Sequence, residues 1–134
     1  MTVSTIHDHP RVLVVDDDRM VADTVTKILD IAGFDARAAY CGEIALDVAL
    51  DFDPDMVITE VVMPGISGIE VAIKMRELAP ACKILLFSGR ATTHLFIEAA
   101  RAENQEFEML AKPVHPRELI ARVRAALPVP QPAA

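Results

Sequence analysis

Tryptophan is absent, tyrosine occurs once, and aromatic residues make up only 4% of the 134-residue chain. The core must therefore be built from Val, Ile, Leu, Ala and Met, which the 52% hydrophobic content supplies for one domain. Cysteine is scarce. Cys41 and Cys82 stand in different segments without metal-ligand spacing, which excludes a disulfide framework and reads as two inert, reduced thiols. The opening "MTVSTIHDHP" lacks the basic start and apolar core of a signal peptide. No apolar run approaches the ~18 residues that span a membrane. Positive charge is in deficit, with 13 basic against 20 acidic residues and a net charge of −7. Nonspecific nucleic-acid binding through a basic face is thereby excluded, and the charge reads as a solubility device. The expectation is a cytoplasmic protein with neither a membrane nor a nucleic-acid partner.

What is present is an alternation of short β-branched runs with amphipathic stretches. "RVLVV" (11–15) is the continuous apolar run of a strand covered on both faces. Val21, Val25, Ile28, Leu29 and Ala32 recur at helical spacing, and Gly33 ends that helix. A weaker strand at 34–40 precedes a helix near 42–50, and "MVIT" (56–59) is a third strand. A helix over 68–78 stopped by Pro80, a strand at 83–88, a helix around 92–102 and a short strand at 107–110 follow. Pro116 suits the first position of a last helix reaching Leu127. Residues 1–10 and the proline-rich 128–134 read as tails around one domain over 11–127. His7 and His9 form an HxH pair that could bind a metal, but they read first as part of the N-terminal tail. Five β-α units predict an α/β fold, a doubly wound parallel sheet of flavodoxin-like order 2-1-3-4-5.

In such sheets ligands bind beyond the carboxyl ends of the strands. The first strand delivers Asp16, Asp17 and Asp18 there, the third Glu60, the fourth Ser88 and the fifth Lys112; the second, at the edge, delivers nothing obviously chemical. Clustered carboxylates repel unless a cation sits among them. Lys112 can be that cation, and Mg²⁺ another. A carboxylate, a hydroxyl, a lysine and Mg²⁺ together could hold a phosphoryl group by neutralising its oxygens. The alternative reading of Asp16 and Asp17 is as acids favoured by a helix N-terminus, as Asp18 is. Ser88 could simply cap the turn with Gly89, and Lys112 could be only a structural counter-ion.

"VLVVDDD", an acid before "VVMPGISG", then "LLFSG" and "LAKP", in that order, resemble the receiver domain of two-component response regulators over about 11–127. The resemblance implies an acidic Mg²⁺ pocket at Asp16 and Asp17, with the Val62 backbone carbonyl as a further ligand and Glu60 as a potential one. It also implies Ser88 as switch hydroxyl, Lys112 as phosphate contact, and a cis bond to Pro113. Three departures stand out. The family phosphorylates an aspartate where this chain has Glu60; the switch aromatic three residues before the lysine is Met109; and the small Gly-Ala pair before the fifth strand is replaced within "ENQEFE".

One added methylene moves a carboxylate outward by up to ~1.5 Å, and a ~1 Å misplacement can cost about a hundredfold in transfer. Glu60 is thus expected to be a poor phosphoryl acceptor. It reads either as a built-in imitation of the phosphorylated state or as a lapsed site on a surviving binding module, with any Mg²⁺ binding weak or absent. A receiver still phosphorylated at a neighbouring acid is the alternative. A haloacid-dehalogenase-type phosphohydrolase is a further one, against which Met20 stands where that motif needs Thr.

Without an output domain, a stand-alone receiver would work by protein contact and not as an enzyme. In receivers the fourth helix, fifth strand and fifth helix form the partner or dimer surface. Here that region holds His94, Leu95, Glu98, Arg101, Met109, Arg117, Arg122 and Arg124. Its mixed charge suits a histidine kinase, a downstream signalling protein or a second copy as partner. It is also readable as a solvated pair of helices.

Overall fold

The structure, a computed structural model, describes residues 7–89 and 107–127 together with His94, Glu98 and Arg101. Five strands form one sheet: β1 (Arg11–Val15), β2 (Asp35–Ala39), β3 (Met56–Glu60), β4 (Lys83–Ser88) and β5 (Glu108–Ala111). All neighbouring pairs are parallel, in the order β2-β1-β3-β4-β5. The helices are α1 (Arg19–Ile31), α2 (Gly42–Phe52), α3 (Gly68–Leu78) and a C-terminal helix (Pro116–Ala126). The expected order 2-1-3-4-5 is the one observed. Of the helix expected over 92–102, His94, Glu98 and Arg101 are helical and exposed; the remainder, including Leu95, lies outside the described residues.

Alternation with a period of two explains how one strand serves two cores. Val12 and Val14 of β1 face Val25 and Leu29 of α1 and Leu119 and Val123 of the C-terminal helix. Leu13 and Val15 turn the other way, to Ala45, Ala49 and Phe52 of α2 and to Val71 and Met75 of α3. β1 is sandwiched, so it needs apolar side chains on both faces. β2 is the edge, and it exposes Asp35 and Arg37. Charged edge residues discourage pairing with another chain.

Helix ends follow local chemistry. Asp18 caps α1 by accepting from the Met20 and Val21 N–H groups. Ser67 caps α3 by accepting from Glu70 N–H, and Pro116 opens the C-terminal helix. Gly33 leaves α1 at a φ of 101°, where a side chain would be strained. The end of α2 is less orthodox, with Asp53 in the left-handed region at a φ of 53°. Strand β5 begins one residue later than its apolar run suggests, because Ala111 pairs with Ser88 and Glu108 with Leu85.

One segment differs from its expectation. His7 to Pro10, read as part of a loose tail, lie against the amino end of the sheet. The His7 side chain is 6% exposed, with Nδ1 2.9 Å from Asp55 Oδ2 and Nε2 3.3 Å from Asp53 Oδ2. Its partners are supplied by the α2–β3 corner, which the topology places beside β1. The two ring nitrogens face different carboxylates, so the HxH pair is not a metal chelate.

Candidate functional site

The register sets four strand ends level. Val15 pairs with Thr59, Glu60 with Phe87, and Ser88 with Ala111, so Asp16, Glu60, Ser88 and Lys112 emerge together at the carboxyl end. Asp16, Glu60 and Lys112 share the alternation parity of Val14, Ile58 and Leu110, which belong to one core cluster. Ser88 has the opposite parity, that of Leu86.

The charges meet accordingly. Lys112 Nζ lies 2.7 Å from Asp16 Oδ2 and 3.4 Å from Glu60 Oε2. Both carboxylates are 1% exposed, whereas the lysine side chain keeps 22% of its surface. Two buried acids this close would be mutually repulsive without the ammonium between them. The Lys112 ammonium also lies over Phe87, with Nζ 4.8 Å from the ring centre. Ser88 Oγ donates to Glu60 Oε1 at 3.4 Å, long for a hydroxyl hydrogen bond. Asp16 Oδ1 accepts the Asp18 N–H at 2.9 Å, so one acid is tied both to the lysine and to the start of α1. The Lys112–Pro113 bond is cis, and Lys112 N–H donates to the Ser88 carbonyl at 3.2 Å.

The other expected site residues are placed less centrally. Asp17 is half-buried at the β1–α1 turn, and Val62 is half-buried in the loop after β3. Met109 packs on the apolar cluster of Val61, Ile69, Ala72 and Leu86. Among the described residues no three His, Cys, Asp or Glu side chains converge to hold a metal ion. Lys112 engages Asp16 and Glu60, the acids expected around a metal. On the expected partner surface, Arg122 donates to the Met109 carbonyl at 3.3 Å and lies 3.7 Å from Glu108. Arg124 reaches the Ala32 carbonyl at 3.4 Å, while Arg117 is exposed.

Two residues at this end carry weight that their sequence positions did not suggest. Tyr40, immediately after β2, donates its hydroxyl to Asp23 at 2.6 Å and has the Arg19 guanidinium 4.2 Å from its ring centre. That bond to the carboxylate raises the tyrosine pKa. Its being the single tyrosine, at a strand's carboxyl end, was the available signal. Glu43, in the first turn of α2, accepts the Ile66 N–H at 3.0 Å and so pins the loop that follows Glu60. This hydrogen bond holds its carboxyl below the ordinary range. No local pattern links Glu43 to Ile66.

A flavodoxin-like sheet with an acid–lysine cluster at the carboxyl ends of its strands is the class of domain that these features define. The family profile described as "Response regulator receiver domain" matches residues 12–124, and the chain belongs to that family: it is the receiver domain of a two-component response regulator. It is 34% identical over 117 residues to response regulator MprA of Mycolicibacterium vanbaalenii, covering 87% of this chain and 50% of that protein. The chain thus spans about half the length of the curated relatives it matches. Among solved structures, a putative response regulator from Chloroflexus aurantiacus aligns with a TM-score of 0.75 and 32% identity, over 89% of this chain and 98% of that one. The chemotaxis protein CheY4 of Vibrio cholerae aligns with a TM-score of 0.78 and 26% identity, over 89% and 99%. No helix among the described residues is long and apolar enough to cross a membrane.

Proposed function

We propose that this receiver signals by protein contact, without enzymatic turnover and without phosphorylation at the usual position, where Glu60 takes the place of the acceptor aspartate. The observation that carries this reading is the Glu60 carboxylate itself, 1% exposed, 3.4 Å from Lys112 Nζ and 3.4 Å from Ser88 Oγ. Its charge and two oxygens face the lysine and the hydroxyl that would otherwise meet a phosphoryl group. A nucleophile already ion-paired and buried, and one methylene too long, is poorly set for in-line attack. It supplies part of the charge that a phosphate would bring, with two oxygens in place of three. The partner is a signalling protein, a histidine kinase or a downstream target, and the fifth strand with the C-terminal helix offers it a mixed-charge face.

The test is intact-mass measurement of the protein and its Glu60→Asp variant after incubation with a small-molecule phosphodonor and Mg²⁺. The expected result is an added phosphoryl mass on the variant only; appreciable label on the parent would sink the proposal. Glu60→Gln then separates imitation from lapse. Loss of partner binding or dimerisation in Glu60→Gln supports imitation, and unchanged binding supports a lapsed site.

A further inference from the structure

At the opposite end of the sheet from Glu60, the His7 ring is bound through one nitrogen and not through the other. Nδ1 lies 2.9 Å from Asp55 Oδ2, an oxygen that also accepts the Arg11 N–H at 2.8 Å. An ionised carboxylate only accepts, so Nδ1 carries the proton of that bond and a neutral ring keeps its lone pair on Nε2. Among the described residues Nε2 makes no hydrogen bond, although it is buried on a side chain only 6% exposed. It faces the Asp53 carboxylate, with Oδ2 3.3 Å away and the aspartate side chain 59% exposed to solvent. A lone pair set against a carboxylate is stabilised by a cation between them.

We propose that His7 Nε2 and Asp53 Oδ2 are the two protein ligands of a site for a divalent transition ion of the zinc type, with water completing its sphere. Zinc sits about 2.0–2.1 Å from an imidazole nitrogen and about 2.0–2.2 Å from a carboxylate oxygen, so a tetrahedral angle sets the two donors roughly 3.3–3.5 Å apart. The observed spacing of 3.3 Å meets that requirement. Asp55 supplies the outer support. A metal-binding histidine characteristically gives its other N–H to a carboxylate, which fixes the tautomer and the ring orientation. An imidazole nitrogen suits zinc and its neighbours, whereas Mg²⁺ and Ca²⁺ take oxygen donors. With two side-chain ligands the site is open and weak, short of the three converging side chains that a closed centre needs.

The neighbours neither fill nor enlarge it. His9 turns away, its Nδ1 3.1 Å from the Gly33 carbonyl. The Arg11 guanidinium donates to the Phe52 carbonyl at 2.8 Å and lies 3.8 Å from Asp35. The Arg37 guanidinium lies 4.4 Å from the centre of the Phe52 ring. The Cys82 thiol, pushed up to about 12 by burial and then by Asp55 and Asp53, stays protonated at neutral pH and is no ligand.

The experiment is a Zn²⁺ titration of the isotope-labelled full chain at pH 7.5, with the histidine ring nitrogens read by long-range proton–nitrogen NMR. The His7 Nε2 resonance should shift saturably and return on adding a chelator, while Mg²⁺ leaves it in place. His7→Gln should abolish the response. Asp53→Asn, which removes a ligand, and Asp55→Asn, which frees the ring, should each weaken binding about 10–100-fold. His9→Gln should bind as the parent does, and the β1 amides report that each variant is folded. No saturable shift of His7 Nε2 up to millimolar Zn²⁺ in the parent overturns the proposal. So does a response centred on His9, His94 or His115, or an affinity unchanged in His7→Gln.

Discussion

Gly68 is the most exacting position around the site, and Gly68→Ala tests why. A Cβ built there would lie 1.9 Å from the Glu60 carbonyl oxygen, 2.8 Å from its carbonyl carbon and 3.0 Å from Val61 Cα. All three atoms are backbone, so no side chain can swing aside. Reaching an ordinary C···O contact of ~3.3 Å requires the start of α3 to retreat from the end of β3 by more than about 1 Å. The Gly68 N–H bond to the Val61 carbonyl, 2.8 Å long, and the Ser67 cap resist that movement. Overpacking costs about 1–3 kcal/mol, and the rigid neighbours favour the upper end; the helix propensity of alanine returns less than about 1 kcal/mol in a first turn. A net loss of about 2 kcal/mol lowers the thermal midpoint of a domain this size by roughly 8 °C. Gly33→Ala is the control. There nothing lies within 4 Å of the new Cβ, but φ is +101°, so the cost is conformational and about 1 kcal/mol. Thermal unfolding followed by circular dichroism should rank Gly68→Ala below Gly33→Ala, with both below the parent. A Gly68→Ala midpoint equal to the parent's would refute the steric argument.

Removing the ammonium while keeping both acids should be costly. Lys112→Met strands Asp16 and Glu60 without their cation, and urea denaturation should show a loss of about 3 kcal/mol, reduced somewhat by the lysine's partial exposure; the double variant with Glu60→Gln should recover part of it, and no recovery would mean the two groups are not coupled. The Glu43 carboxyl is lowered chiefly by the Ile66 N–H, so its contribution is present above the ordinary glutamate value of 4.5 and is lost as pH falls through the lower folded value. Protection of the Ile66 amide should therefore drop on acidification below pH 4.5, and Glu43→Gln should flatten that dependence. Burial pushes the Cys82 thiol up to about 12 while Cys41 is only half-buried, so a thiol reagent at pH 8 should modify Cys41 first; equal rates would contradict the burial of Cys82.

The contrast between what could and could not be read from the chain follows the distance over which each feature is determined. β1 was legible because a strand covered on both faces needs an unbroken apolar run, and "RVLVV" is one. Glu60 was legible as a candidate because a carboxylate ending such a strand requires a partner, and Lys112 could be named from topology alone. The limits of α3 were legible because Gly68 and Pro80 act within a turn of their own position. Tyr40 with Asp23, Glu43 with Ile66, and His7 with Asp53 and Asp55 were not. Each pairs residues from separate elements, and only the packed sheet brings them within reach. Asp53 adds a second reason, since its left-handed backbone at the end of α2 stands where glycine or asparagine is the usual signal.

Both ends of the sheet bring carboxylates together, with different partners. At the carboxyl end the Lys112 ammonium joins Asp16 and Glu60; at the amino end Asp53 and Asp55 face the His7 ring, and Asp55 Oδ2 also accepts the Arg11 N–H at 2.8 Å. A partner that reads the carboxyl end should lose affinity in Glu60→Gln and be indifferent to His7→Gln. One that contacts residues 7–10 should respond to His7→Gln but be indifferent to Glu60→Gln. Crossing the two variants separates the surfaces in a single binding experiment. A partner whose affinity depends on both variants non-additively would show that the two ends are coupled through β3, the strand with Asp55 just before it and Glu60 at its end.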